Sequence, residues 1–271
     1  MKLAFIGGGN MARALIAGLK TQQFMMTDVT VIEPDMSKQE ALEKEFGVVT
    51  SSSMHNLSHS DVIVIAVKPQ QLPAVSKDLA AILSKQLIIS IAAGVLLKDL
   101  SKWLNDYDVI VRAMPNTPAQ IQAGVTGLYA LPKVTQSQIA MADQILSAAG
   151  TTLWLESEDK LDAVTAISGS GPAYVFYFIE ALQAAAITLG LSEAEAKQLS
   201  IATFKGAGLL ADASQLPVSI LREQVTSKGG TTEQGLISLQ SSLVKEAIIL
   251  AAEKAYKRAK TLGEELSQLH Q

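Results

Sequence analysis

Lys2-Leu3-Ala4-Phe5-Ile6-Gly7-Gly8-Gly9-Asn10-Met11-Ala12 decides the fold: a short apolar strand runs straight into a G-x-G-x-x-A turn. In such a turn Gly7 allows the tight bend and Gly9 lets backbone approach a pyrophosphate. Ala12 is small enough for the following helix to pack closely on the strand. That helix opens at Asn10 and Met11 and carries Leu15, Ile16 and Leu19 on its apolar side, so its unpaired N–H groups and positive dipole end aim at phosphate oxygens. A second strand, Val29-Thr30-Val31-Ile32, closes on Glu33, where an acidic residue meets adenosine ribose hydroxyls. The glycine pattern alone is weak evidence, and an ordinary turn without ligand is its bland reading. Strand before, amphipathic helix after and the acid at the second strand's end together point to a bound nicotinamide or flavin dinucleotide.

Outward from this unit, short β-type runs alternate with helical patterns up to about Glu156. They are residues 2–6, 29–33, 48–50, 62–66, 87–91, 109–112, 125–130 and 152–155. Near-continuous apolar strands separated by helices predict a parallel sheet covered on both faces. Beyond Ser157 the chain reads as helix throughout: Pro172 to Leu189, Ser192 to Ala213, a short one from Pro217, another from Thr232, and a last from about Leu243 to Leu269. Ser192 with Glu195 fits a capping box, Gly190 suits a left-handed helix stop, and Pro172 and Pro217 suit first-turn positions. The fold class is therefore α/β, a Rossmann-type parallel-sheet domain over residues 1–157 followed by an all-α domain over 158–271. The helix from Ala173 to Leu189 is apolar on nearly every side, more than about 110 residues can cover, so a homodimer that intertwines these helices is expected.

The 271 residues are 48% hydrophobic, enough for a sizeable core, and carry a formal charge of -4 with no basic patch, which speaks against nucleic acid. There is no cysteine, which excludes disulfides, thiol catalysis and cysteine-ligated metal. His55 and His59 lack a third ligand or a Glu-x-x context, and His270 lies near the end of the chain, so no metal site is expected. Lys2 sits where secretion would require an apolar run, and the alanine-rich stretch 173–191 carries Glu180 and Gln183, so the expectations are cytoplasmic location and no membrane span.

Four loops carry candidate chemistry. Ala66-Val67-Lys68-Pro69 ends the fourth strand, its proline holding Lys68 where a cofactor phosphate or ribose would lie, although a plain surface lysine fits the same pattern. Ser90-Ile91-Ala92-Ala93-Gly94 ends the fifth in small residues that suit close approach of a flat ring. Arg112-Ala113-Met114-Pro115-Asn116-Thr117-Pro118 ends the sixth in a stiff loop, and Asn116 could meet a carboxamide or a ribose hydroxyl. In the helical half, Val225-Thr226-Ser227-Lys228-Gly229-Gly230-Thr231-Thr232 leads two glycines into a helix start, with Thr231 and Gln234 spaced as a capping box, an arrangement that suits a small carboxylate. Spacing alone stops at a dinucleotide oxidoreductase acting on a small anion.

Over its full length the chain resembles the pyrroline-5-carboxylate reductases. The segments that carry the resemblance are Phe5 to Ala12, Ala66 to Pro69, Ser90 to Gly94, Arg112 to Ala119, Ser168-Gly169-Ser170-Gly171-Pro172-Ala173-Tyr174, and Gly229 to Thr232. The resemblance implies reduction of Δ1-pyrroline-5-carboxylate to L-proline with NAD(P)H, a helical dimerisation domain, and dimers gathered into larger rings. It also implies that Thr232 hydrogen-bonds the ring nitrogen while Ser227 and the backbone of Gly229, Gly230 and Thr231 hold the carboxylate. Reduction of another cyclic imine, or a non-catalytic dinucleotide-binding regulator, are the alternatives. A 3-hydroxy-acid dehydrogenase of related build would carry a lysine base in the long helix, and residues 173–189 contain none.

Two departures stand out: Lys228 where the family usually has proline, and Leu243-Val244-Lys245 where it tends to Gly-Phe-Arg. For the cofactor, Glu33 with no arginine in Pro34-Asp35-Met36-Ser37-Lys38 leans to NADH, while Ser37 or Lys38 could still bend towards a 2′-phosphate.

Overall fold

The computed structural model describes residues 1–268, Asn56 by its backbone alone; the expected helix end at Leu269 and His270 lie outside the described residues. Two compact units form, one from Met1–Ser170 with the C-terminal stretch from Ala255, the other from Gly171–Lys254.

In the first unit every β-type run becomes a strand: β1 (Leu3–Ile6), β2 (Val29–Ile32), β3 (Val49–Ser51), β4 (Val62–Ile65), β5 (Leu87–Ser90), β6 (Ile110–Met114), β7 (Gly124–Ala130) and β8 (Gly150–Trp154). They lie in one sheet in the order β3-β2-β1-β4-β5-β6-β7-β8. Beyond β1 the order reverses direction, which makes the β1/β4 boundary the topological switch point of a doubly wound sheet. Strands β1 to β6 are parallel, but β7 runs antiparallel to β6, with Val111 opposite Ala130 and Met114 opposite Gly127. This corrects the expectation of a uniformly parallel sheet. A parallel return needs a crossover of a dozen or more residues, and the β6–β7 connection holds only the 3-10 turn Thr117–Ile121.

Alternation along the strands feeds two cores. Leu3, Phe5, Val62 and Val64 pack with Leu15, Ile16 and Leu19 of α1 (Asn10–Thr21). Ala4, Ile6, Ile63 and Ile65 point the other way, to Leu72 and Leu79 of α3 (Leu72–Ala80). Between them in sequence, α2 (Met36–Phe46) is capped by the Asp35 carboxylate and stopped by Gly47 at φ 76°. The remaining helices of this unit are α4 (Leu97–Trp103), α5 (Gln136–Ser147) and α6 (Lys160–Val164), the last followed by a π-helical turn at Thr165–Gly169.

The compact units divide later than the join read from sequence at 157/158. Arg112 of β6 is only 4% exposed and donates to Glu158 at 2.8 Å, with Asp162 at 3.7 Å, while Leu161 is fully buried. Those ties hold residues 158–170 to the sheet. At the far end of the chain Leu266 joins the second core, and Gly263 packs so closely that a Cβ there would lie 2.9 Å from the Gly94 carbonyl oxygen.

The second unit contains α7 (Gly171–Thr188), α8 (Glu193–Ala213), α9 (Val218–Gln224), α10 (Thr231–Ser241) and the first part of α11 (Val244–Gln268). Gly190 takes φ 97° after α7, and Ser192 with Glu195 forms the reciprocal capping box. Pro217 is the N-cap of α9, one place before the expected first turn. Helices α7, α9 and α10 bury no residue at all. No single helix among the described residues is long and apolar enough to cross a membrane.

Candidate active site

Because β1 to β6 run parallel, the loops after β1, β2, β4, β5 and β6 all emerge at one edge of the sheet. Gly7, at φ 98°, sits where an added Cβ would lie 2.9 Å from the Ala66 carbonyl oxygen and 3.2 Å from Val67 Cγ1, so a side chain there would push apart the two switch-point loops. Gly9 is different: an added Cβ would meet nothing within 4 Å. It is the N-cap of α1, extended and without a side-chain cap, so no capping side chain meets the N–H groups that open the helix at Asn10 and Met11. Space and donors together fit a pyrophosphate.

Glu33 is 7% exposed, and its carboxylate accepts from Gly8 N–H at 3.0 Å and from Asp35 N–H at 3.2 Å. It therefore clamps the glycine turn to the entrance of α2, and each oxygen keeps a lone pair for a ribose hydroxyl. The same packing explains Gly8, which the motif leaves unspecified: a Cβ would fall 2.7 Å from Leu42 Cδ1. Beside it, Asp35 accepts from the Ser37 hydroxyl and from the Ser37 and Lys38 N–H groups. The Ser37 hydroxyl, ahead of the Lys38 N–H, holds the Asp35 carboxyl below its usual value. Ser37 is thus engaged with Asp35.

Lys68 caps the 3-10 turn Pro69–Gln71, its N–H donating to Gln71 Oε1 at 3.3 Å. After β5, Ala92 is buried and Ala93 partly exposed, while the missing side chain of Gly94 makes room for α11, with Leu262 Cγ 3.3 Å from an added Cβ. Helix packing thus requires the missing side chain at 94. Asn116 is 8% exposed; its Oδ1 accepts from Val125 N–H at 2.9 Å and its Nδ2 donates to the Ser168 carbonyl at 3.1 Å. It ties the β6–β7 loop to the π-helical turn, with one N–H of Nδ2 left for a ligand.

Within the helical unit, Gly230 N–H donates to the Ser227 carbonyl at 3.0 Å, and Gly229 takes φ 74°. An i→i+3 bond with a left-handed third residue is the signature of a type II turn, whose second position favours proline. That position is Lys228. Gly230 allows Ser227 in: an added Cβ would lie 2.5 Å from Ser227 Oγ. Gly230 is also the N-cap of α10, without a side-chain bond, so the expected Thr231/Gln234 capping box does not form. With Gly230 as N-cap the third helical position falls to Glu233, which reaches back past the cap, its Oε2 accepting from Gly229 N–H at 2.7 Å. Thr232 is exposed in the first turn.

His55 and His59 fall on a 3-10 turn, where residues four apart do not share a face. Tyr174 and Tyr177 line an apolar hollow with Phe178, Val244 and Ile248.

An uncapped glycine turn at the switch point of a doubly wound sheet, joined in one chain to helices that bury little of their apolar surface, defines a dinucleotide-binding protein with an assembly domain. Residues 158–262 match the family described as pyrroline-5-carboxylate reductase dimerisation, and residues 2–94 match NADP oxidoreductase, coenzyme F420-dependent. A pyrroline-5-carboxylate reductase of Pseudomonas aeruginosa is 41% identical over 97% of this chain and 98% of its own length. The solved pyrroline-5-carboxylate reductase of Coxiella burnetii superposes with a TM-score of 0.92 at 41% identity, covering 96% of this chain and 98% of that one. That of Plasmodium falciparum, solved with NADP bound, gives 0.86 at 32% identity, covering 97% and 98%. The chain belongs to the pyrroline-5-carboxylate reductase family.

Proposed function

We propose that this chain reduces Δ1-pyrroline-5-carboxylate to L-proline with a reduced nicotinamide dinucleotide, the last step of proline synthesis. The observation that carries the reading is the uncapped start of α10 behind the Ser227–Gly230 turn, in a chain whose full-length relatives bear that name. When bound, NAD(P)H would supply a hydride for the imine carbon of the ring, which becomes C5 of L-proline. The chain's own part is to bind and orient. Gly7, Gly9, Asn10 and Met11 receive the pyrophosphate, Glu33 the adenosine ribose, and Ala66, Val67, Lys68, Pro69, Ala92, Ala93, Gly94 and Asn116 line the rest of the cofactor's path. Ser227 and the backbone of Gly229, Gly230 and Thr231 hold the substrate carboxylate, and the Thr232 hydroxyl meets the ring nitrogen. A protonated cyclic imine is already an electrophile, so its reduction discharges a cation and needs no strong general acid. Positioning supplies most of the rate.

We infer a preference for NADH. The Glu33 carboxylate is fixed by two N–H groups, Asp35 adds a second negative charge beside it, and Ser37 is bonded to Asp35. A 2′-phosphate would meet both acids. The helical unit makes the protein a homodimer on this reading, rings of dimers are the further expectation that sedimentation tests, and the cytoplasm is the location that cell fractionation tests.

The test is the initial rate of reduced-cofactor oxidation with Δ1-pyrroline-5-carboxylate, run with NADH and NADPH in parallel. Imine-dependent turnover with a higher kcat/KM for NADH is expected. Folded protein without turnover overturns the reaction, and equal kcat/KM values overturn the role given to Glu33.

A further inference from the structure

Glu233 stands in the first turn of α10 and folds back so that Oε2 accepts the Gly229 N–H at 2.7 Å. Gly229 is the left-handed residue of the turn, and its N–H belongs to the backbone that the proposed function gives to the substrate carboxylate. The N-cap residue, Gly230, has no side chain to offer. The acceptor therefore comes from inside the helix, and it is a carboxylate, the same group as the expected ligand.

We propose that Glu233 is an internal stand-in for the substrate carboxylate. In the empty enzyme it occupies the Gly229 N–H and holds the turn in its binding shape; the arriving carboxylate takes that donor and displaces it. The inference rests on reading Ser227–Thr232 as the substrate loop. Its consequence is a positioning residue that weakens substrate affinity. Substrate must break an existing charge-assisted bond, and afterwards two negative charges share one helix N-terminus. Hydride transfer itself involves other atoms, so the effect falls on KM and leaves kcat in place.

The experiment compares wild type, Glu233→Ala and Glu233→Gln at saturating reduced cofactor, with calorimetric binding of L-proline as a second readout. For Glu233→Ala, KM for Δ1-pyrroline-5-carboxylate is expected to fall by about 3- to 10-fold, and L-proline to bind more tightly by a similar factor. Glu233→Gln, which keeps an acceptor but loses the charge, is expected to shift both in the same direction by less, with kcat of either variant within about twofold of wild type. A gain in affinity is not what a merely structural bond would yield on removal. Unchanged KM in both variants overturns the inference, as does a KM raised by alanine and restored by glutamine, since the bond would then shape the loop without competing for it. Wild-type protein without imine turnover would instead overturn the proposed function.

Discussion

Leu3, Phe5, Leu15 and Leu19 of the sheet unit are wholly hidden from solvent by their own chain, whereas Phe176, Leu189 and Leu209 of the helical unit are 64%, 84% and 60% exposed. Composition does not separate the two regions, since both are rich in apolar residues. Geometry does. A sheet flanked by helices closes over its own strands, and each apolar residue of β1 or β4 finds a helix on its side. Helix α7 is apolar all round, and a helix can offer only one face to each neighbour in its own chain. The dimerisation family matched by residues 158–262 answers that surplus. The sheet unit covers its own core, and the helical unit leaves apolar surface of the kind a dimerisation domain covers.

A core deletion should separate the two units by the largest effect. Leu15→Ala should cost about 2 to 5 kcal/mol, read as a fall in the sheet unit's unfolding midpoint that does not depend on protein concentration. Unfolding of the helical unit should rise in midpoint with concentration, because a partner binds only the folded form. A helical transition indifferent to dilution would remove the contrast. Next in size, Thr232→Ala is expected to lower kcat/KM by about 10- to 100-fold while leaving cofactor affinity near wild type, which places the loss in the helical unit. Kinetics unchanged by the substitution would take Thr232 out of the mechanism.

A smaller effect concerns the tie between β6 and α6. Burial raises the Asp162 carboxyl above its ordinary value, against the lowering pull of Arg112. A folded-state pKa above the unfolded one favours the protonated fold, so this contribution is full below the unfolded pKa and is lost as pH rises through the folded one. The Tm of wild type relative to Asp162→Asn should therefore decline as pH rises through that acidic window. A constant difference would contradict it. Smallest are two changes at left-handed or turn backbone in the helical unit. Leu243 takes φ 53° between α10 and α11, a conformation that costs a branched side chain and that glycine adopts freely. Leu243→Gly, and Lys228→Pro at the second position of the type II turn, should each raise stability by about 0.5 to 1 kcal/mol, measured by thermal unfolding. Lower stability in either would mean that its side chain or N–H is used in the dimer.

What could be read from the sequence were features settled within a few residues. The eight strands announce themselves as apolar runs, Gly7 by its motif, and Gly190 and Ser192 by helix-end chemistry. What could not be read depends on partners brought from elsewhere. Gly18 needs its missing side chain because the Ala148 carbonyl oxygen would lie 2.0 Å from a Cβ, and nothing near Gly18 says so. The same holds for Gly8 against Leu42, and for Gly94 against the returning end of α11. At the α10 entrance the spacing of Thr231 and Gln234 suggests a box, but the helix begins one residue earlier, with Gly230 as N-cap, and Glu233 is the side chain that reaches back to the Gly229 N–H. The direction of β7 was legible in principle, because the connection from β6 is too short for a crossover. Arg112 heads the loop read after the sixth strand, but its grip on Glu158 and Asp162 emerges only from the fold.

Hydride delivery to an imine carbon leaves an isotopic signature in the product. Reduced cofactor carrying deuterium at C4 on either face is incubated with Δ1-pyrroline-5-carboxylate, and the product is resolved by chiral chromatography and mass spectrometry. L-proline with a single deuterium at C5 is expected from one of the two labelled cofactors, and unlabelled L-proline from the other. Absence of L-proline, or L-proline without label from both, would contradict it.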